Sequence, residues 1–232
     1  MIFDGDDTLW RVEELYDAAL LEAQQSIETA GIPGEEWRLL QREHDLRNVK
    51  TLGMSPERFP LSSQQALLEI GRKHSWDVPP DLVEKVVAIS QTVFARQAPV
   101  MPMARQVLTS LVPAFRLALL TKGDPLIQQG RVKDSGLIDC FERVQVVPDK
   151  NEKVFTEIVS DFDVRPEKAW SVGNSLASDV NPALRAGLNA IWIDAHVWEH
   201  ERRETVVTHP RLVVLNSLQQ VPPALLASVG ER

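Results

Sequence analysis

A single cysteine, Cys140, among 232 residues has no partner for an internal disulfide, which suits a reducing compartment. Its apolar surroundings predict a buried structural thiol and not a nucleophile. No apolar run reaches the roughly 20 residues that a membrane-spanning helix needs, so no membrane partner is expected. No charged, apolar and small-residue leader stands at the start, and the cytoplasm is the expected compartment. Positive charge is scarce: 25 Lys and Arg against 33 Asp and Glu set the formal charge at −8. A phosphate backbone needs a concentrated basic face; none is present, which argues against nucleic acid. An anionic small molecule would need local positive groups and the help of a metal ion. Internal repeats and low-complexity stretches are absent too, and nothing in the composition speaks to oligomeric state. The 44% hydrophobic content is that of an ordinary globular protein with a sizeable core.

The first ten residues organise the rest. Met1-Ile2-Phe3 run into Asp4, Asp6 follows two positions on and Thr8 two beyond, with Gly5 between the carboxylates. That pattern predicts a short buried strand delivering an acidic loop. Carboxylates at i and i+2 beyond a strand end can converge on a divalent, oxygen-seeking cation. A plain turn would use the same residue types, so this spacing alone leaves both readings open. Three residues before Asp4 are few for a central strand: either the strand is short or the natural start lies upstream of Met1.

From Val12 the pattern is helical for about ninety residues. Val12, Leu15, Tyr16, Ala19, Leu20, Ala23 and Ile27 recur at helical spacing up to Gly31 and Pro33. Further helices are predicted from Glu35 to Leu52, Ser62 to Lys73 and Asp81 to Arg96, with Pro56, Pro60 and Pro79-Pro80 as punctuation. Residues 12–98 thus form a small helical bundle inserted after the acidic loop. Residues 1–11 and 99–232 form the second body, where helices alternate with strands at Leu117–Leu120, Val144–Val147, Ala169–Val172, Ala190–Ile193 and Leu212–Leu215. This rhythm predicts an α/β fold, a doubly wound parallel sheet. Gly173 to Asp179 reads as loop. In such a sheet the ligand crevice lies beyond the carboxyl ends of the strands, and Asp4, Asp6, Thr121, Lys150 and Asp179 all fall there.

Four motifs in this order resemble the haloacid dehalogenase superfamily, whose members are mostly phosphatases. Its opening Asp-x-Asp-x-Thr matches Asp4, Asp6 and Thr8, its strand-end Ser or Thr matches Thr121, its lysine matches Lys150, and its acidic loop matches Gly173 to Asp179. The stretches Thr121-Lys122-Gly123-Asp124, Gly173 to Val180 and Trp198-Glu199-His200-Glu201 look like a bacterial phosphatase-like subgroup. The helical insertion looks like the family's first type of cap. The loop commonly begins Gly-Asp in that family; here Asn174 follows Gly173, keeping an oxygen acceptor but losing the charge.

The resemblance implies magnesium-dependent hydrolysis of a small phosphate ester. Asp4 would be the nucleophile and Asp6 the acid and base. Thr8, Thr121, Lys122, Gly123 and Lys150 would meet the phosphoryl group, and Asp4, Asp6, Asp179 and Asn174 would hold the metal. Lys122 also reads as a solvated loop residue. Lys150 is preferred to Lys153 for its distance to Phe155. His196 and His200, with Glu199 between them, read as a surface segment because no third metal ligand stands at suitable spacing. Rival readings are a phosphomutase, a true dehalogenase, a non-catalytic protein keeping the fold, and a serine hydrolase built on Ser175 with Asp194 and His209.

Overall fold

The computed structural model describes residues 1–194 and 208–229. The chain divides into two compact units, Met1–Arg11 with Ala98–Arg232, and Val12–Gln97. The stretch Trp198–Glu201 and the pair His196 and His200 lie outside the described residues.

The first unit is built on a parallel sheet of β1 (Ile2–Phe3), β2 (Ala118–Lys122), β3 (Arg143–Val147), β4 (Trp170–Gly173), β5 (Asn189–Ile193) and β6 (Leu212–Leu215), in the order β3-β2-β1-β4-β5-β6. Short as it is, β1 is central: Ile2 pairs with Ala118 on one side and Ser171 on the other. The Asp4 amide adds one more rung, donating to Val172 O at 2.9 Å. From β1 the connections wind outward in both directions, so its carboxyl end is the point where the strand order reverses and a crevice opens.

The helices of this unit are α5 (Ala104–Leu111), α6 (Pro125–Asp134), α7 (Glu152–Asp161), α8 (Asn181–Arg185) and α9 (Val221–Val229). Phe155, Ile158 and Val159 of α7 pack on Ile2, Ala118, Leu120 and Val147. Burying a side chain the size of Phe155, 1% exposed, contributes about 2–3 kcal/mol. That anchor pins the first turn of α7, which Asn151 caps through its side-chain oxygen, and so holds Lys150 just ahead of it. Asp124 starts α6 in the same way, accepting from the amides of Leu126 and Ile127.

The second unit packs α1 (Glu13–Thr29), α2 (Gly34–Leu52), α3 (Arg58–His74) and α4 (Pro80–Ala95) around Trp37, Leu67, Ile70, Val86 and Val93, all buried. Tyr16 meets Phe59 edge to face at 4.8 Å. No helix among the described residues is long and apolar enough to cross a membrane.

Three expectations need correction. Helix α3 begins at Arg58, not Ser62, because Pro60 occupies the first turn, where a missing N–H costs nothing. The stretch expected as loop after β4 contains a π-helical turn over Leu176–Val180, closed by the Val180 and Asp179 amides on Ser175 O. Cys140 is half-exposed beside Arg105, although burial still raises its thiol pKa.

Candidate active site

Beyond β1 the chain turns sharply: the amides of Thr8, Leu9 and Trp10 all point at Gly5 O. The turn brings Thr8 back under Asp4, and its hydroxyl lies 2.8 Å from Asp4 Oδ2 and 3.3 Å from Asn174 Oδ1. The Lys150 ammonium lies 2.5 Å from Asp4 Oδ1 and 2.7 Å from Asp179 Oδ1. All three side chains are buried. Lys153, by contrast, is 84% exposed and faces Glu157 one turn along α7.

Asp179 is locked on both sides. Its Oδ2 accepts from the Ser175 amide at 3.0 Å, and its backbone carbonyl accepts from the Ser171 hydroxyl. A Cβ on Gly173 would stand 2.2 Å from Asp179 Oδ2, so glycine there is what lets the carboxylate fold back against the end of β4. The Asn174 carbonyl accepts from the Trp192 indole at 2.8 Å.

The electrostatics of this cluster are unbalanced. Burial and then Asp179 push the Asp4 pKa up to about 7, with Lys150 pulling the other way. Burial works to lower the Lys150 pKa, but Asp179 and Asp4 outweigh it and hold the ammonium above the ordinary lysine value. Among the described residues the two carboxylates thus share one cation, and no second one pairs with either. That deficit, with the oxygen donors of Asp4, Asp179 and Asn174, suits a hard divalent ion. Among the described residues no three His, Cys, Asp or Glu side chains converge as a ready metal cluster, and the Asp6 carboxylate is turned elsewhere.

Asp6 Oδ1 accepts from the Trp10 indole at 2.6 Å, while Oδ2 accepts from Gln128 Nε2 at 2.9 Å and Arg131 Nη1 at 2.6 Å. Gln128 and Arg131 stand three apart on α6, and both are buried or nearly so. Neither was expected from the sequence. The available signal was their i, i+3 spacing, which puts two polar side chains on one face of a helix that starts beside the Thr121 motif.

Thr121, fully buried at the end of β2, has its hydroxyl 3.0 Å from Gln128 Oε1. Gly123, expected to meet a phosphoryl group, spends its N–H on Val147 O at 3.0 Å. Lys122 is half-buried in the last position of β2 with Nζ 2.8 Å from Ser178 Oγ; the solvated-loop reading fails because β2 runs two residues further than expected. Ser175 uses its hydroxyl to accept from the Ser178 amide, and His209 Nδ1 accepts from the Arg211 amide, so each has a local structural task.

Comparison with known proteins supplies the frame for this geometry. Residues 1–187 match the family model described as hydrolase, haloacid dehalogenase-like hydrolase. Glyceraldehyde 3-phosphate phosphatase of Pyrococcus furiosus is 27% identical over 198 residues, 83% of this chain and 79% of that protein. Phosphoserine phosphatase of Thermus thermophilus is 34% identical over 83 residues, 34% of this chain and 33% of that protein. The crystal structure of a haloacid dehalogenase-like family hydrolase from Xanthomonas campestris superimposes with a TM-score of 0.81 at 25% identity, covering 100% of this chain and 97% of that one. With four-fifths of its length inside the family model and the strand-end motifs gathered at the switch point of the sheet, the chain belongs to the haloacid dehalogenase-like hydrolases.

Proposed function

We propose that this chain is a magnesium-dependent phosphatase acting on a small phosphorylated metabolite through an aspartyl-phosphate formed on Asp4. The observation that carries this reading is the buried Lys150 ammonium shared between Asp4 and Asp179 at the end of the central strand. It fixes the nucleophile and offers positive charge where phosphoryl oxygens would sit. The named relatives, a glyceraldehyde 3-phosphate phosphatase and a phosphoserine phosphatase, support the substrate class.

In the first step an Asp4 oxygen bonds to phosphorus while the bond from phosphorus to the ester oxygen breaks. Asp6 gives its proton to that departing oxygen. In the second step water attacks the phosphoryl group, Asp6 takes the proton from the water, and the bond to Asp4 breaks, releasing phosphate. Thr8 orients Asp4 from below; Thr121, Lys122, Gly123 and Lys150 line the phosphoryl side. Asp4, the backbone carbonyl of Asp6, Asp179 and Asn174 would hold magnesium, which supplies the attraction that two anions lack. An acid at Asp6 separates this chemistry from dehalogenation, in which a halide leaves without a proton. The helical unit Val12–Gln97 serves as the cap that confers selectivity among esters, and the cytoplasm is the compartment we assign.

Asp4→Asn is expected to lower turnover of p-nitrophenyl phosphate by at least about 10³-fold, and excess chelator is expected to silence the wild type. Trapping with magnesium and fluoroaluminate is expected to place the phosphate mimic beside Asp4. A mimic on Ser175, or activity that survives both chelator and Asp4→Asn, would overturn the reading.

A further inference from the structure

Gln128 is buried, 2% exposed, in the second turn of α6, and it touches two of the groups assigned to the reaction. Its amide orientation follows from chemistry. One end lies 2.9 Å from Asp6 Oδ2 and 3.1 Å from Lys122 O. A backbone carbonyl has no hydrogen to give, so that end must be the NH2. The other end is therefore the carbonyl Oε1, 3.0 Å from Thr121 Oγ1. An amide oxygen only accepts, so Thr121 donates its single hydroxyl proton to Gln128.

Two consequences follow. While this contact stands, the Thr121 hydroxyl has no hydrogen left for a phosphoryl oxygen. Once a phosphoryl oxygen captures that hydrogen, Gln128 Oε1 loses its buried partner, which is costly, and the amide is driven to move. The same amide holds Asp6 through its other end. Arg131, whose Nη1 also holds Asp6, has its Nη2 buried with no partner among the described residues, so the bonds described around Asp6 leave one donor over. Room for the amide is built into the backbone: a Cβ on Gly123, at φ +146°, would stand 3.0 Å from Gln128 Nε2.

Resting on the phosphatase reading above, we infer that Gln128 is a positioning residue that ties the arrival of a phosphoryl oxygen at Thr121 to the placement of the Asp6 carboxylate at the leaving group. Gln128 itself touches no reacting atom. It acts through Thr121 and Asp6, and it makes leaving-group protonation answer to an occupied phosphoryl site.

Leaving-group dependence tests this. A p-nitrophenolate departs with little help from an acid, whereas an alkoxide needs the proton. Gln128→Leu is therefore expected to lower kcat for glycerol 3-phosphate by about 100-fold and for p-nitrophenyl phosphate by only about tenfold, with KM for each within about threefold. Gln128→Glu keeps the acceptor for Thr121 but loses the donor toward Asp6; it is expected to show the same selective loss and serves if the leucine variant does not fold. In a Thr121→Val background the Gln128→Leu change should cost much less than in the wild type, since the coupling is already cut. Equal losses on both esters, or full additivity with Thr121→Val, would overturn the inference. A wild type inactive toward both esters in magnesium would sink the phosphatase reading instead, so the two failures are distinguishable.

Discussion

Both units bury polar side chains, but they spend them differently. In the helical unit the buried serines turn inward on their own helices: Ser62, Ser63 and Ser90 donate to the carbonyls of Arg58, Phe59 and Val86, each four residues back. Among its ion pairs, the one with the most buried cation, Arg58 with Asp45, spans 13 positions and joins α3 to α2 with Ser62, and Asn48 meets Gln65 across 17. In the α/β unit some buried polar groups are equally local, such as Thr8 with Asp4 and Ser175 with Asp179, but others reach across the chain. Lys150 meets Asp4 across 146 positions, Thr8 meets Asn174 across 166, and Arg131 meets Asp6 across 125. Polar burial by itself therefore does not mark a site. What distinguishes the α/β unit is the convergence of charged groups from distant parts of the chain, because a sheet switch point gathers what helix packing would keep apart.

The strongest way to break that contrast is to remove the shared cation. Lys150→Ala leaves Asp4 and Asp179 buried without it, and is expected to cost about 3–5 kcal/mol in urea unfolding together with at least about 10³-fold in turnover. Lys153→Ala, on an exposed residue, is expected to change neither. If the Lys153 variant proved the severe one, the convergence seen at Asp4 would have no bearing on the chemistry.

A smaller effect sharpens the roles within the acidic loop. On the reading proposed above, Asp179 would bring a full charge to a hard cation, whereas Asn174 could orient a ligand but would bring no charge. Asp179→Asn should raise the dissociation constant for magnesium, read by calorimetry, about tenfold or more, and Asn174→Ala by less than about threefold. Equal effects would mean that the loop holds the metal by a different set.

The smallest expected effect lies in the helical unit. Arg58→Met breaks the Asp45 pair, whose carboxylate keeps some solvent contact, and should cost about 1–3 kcal/mol of stability. Turnover of p-nitrophenyl phosphate should stay at the wild-type level while discrimination among phosphorylated metabolites weakens. A loss of turnover on the artificial ester equal to that of Lys150→Ala would erase the distinction between the two units.

What the sequence determined alone was local and periodic. The alternation of strand and helix and the polar residues beyond the strand ends depend on contacts within about four positions and were readable in order; the side-chain caps at Asp124 and Asn151 are equally local. Lys150 and Lys153 could be told apart by their distance to Phe155, which is buried while Lys153 lies on the exposed face of the helix; which of them serves the chemistry is what the two alanine variants decide. Only the tertiary structure decided the pairings. Asp6 lies two residues from Asp4, yet its carboxylate turns to Trp10, Gln128 and Arg131 while Asp4 turns to Lys150; the loop motif specifies the carboxylates but not their partners. Lys122 finds Ser178 across 56 positions only because β2 and the turn after β4 end at the same edge of the sheet. No periodicity encodes such contacts, because they depend on strand order, and strand order is settled by packing the whole unit at once.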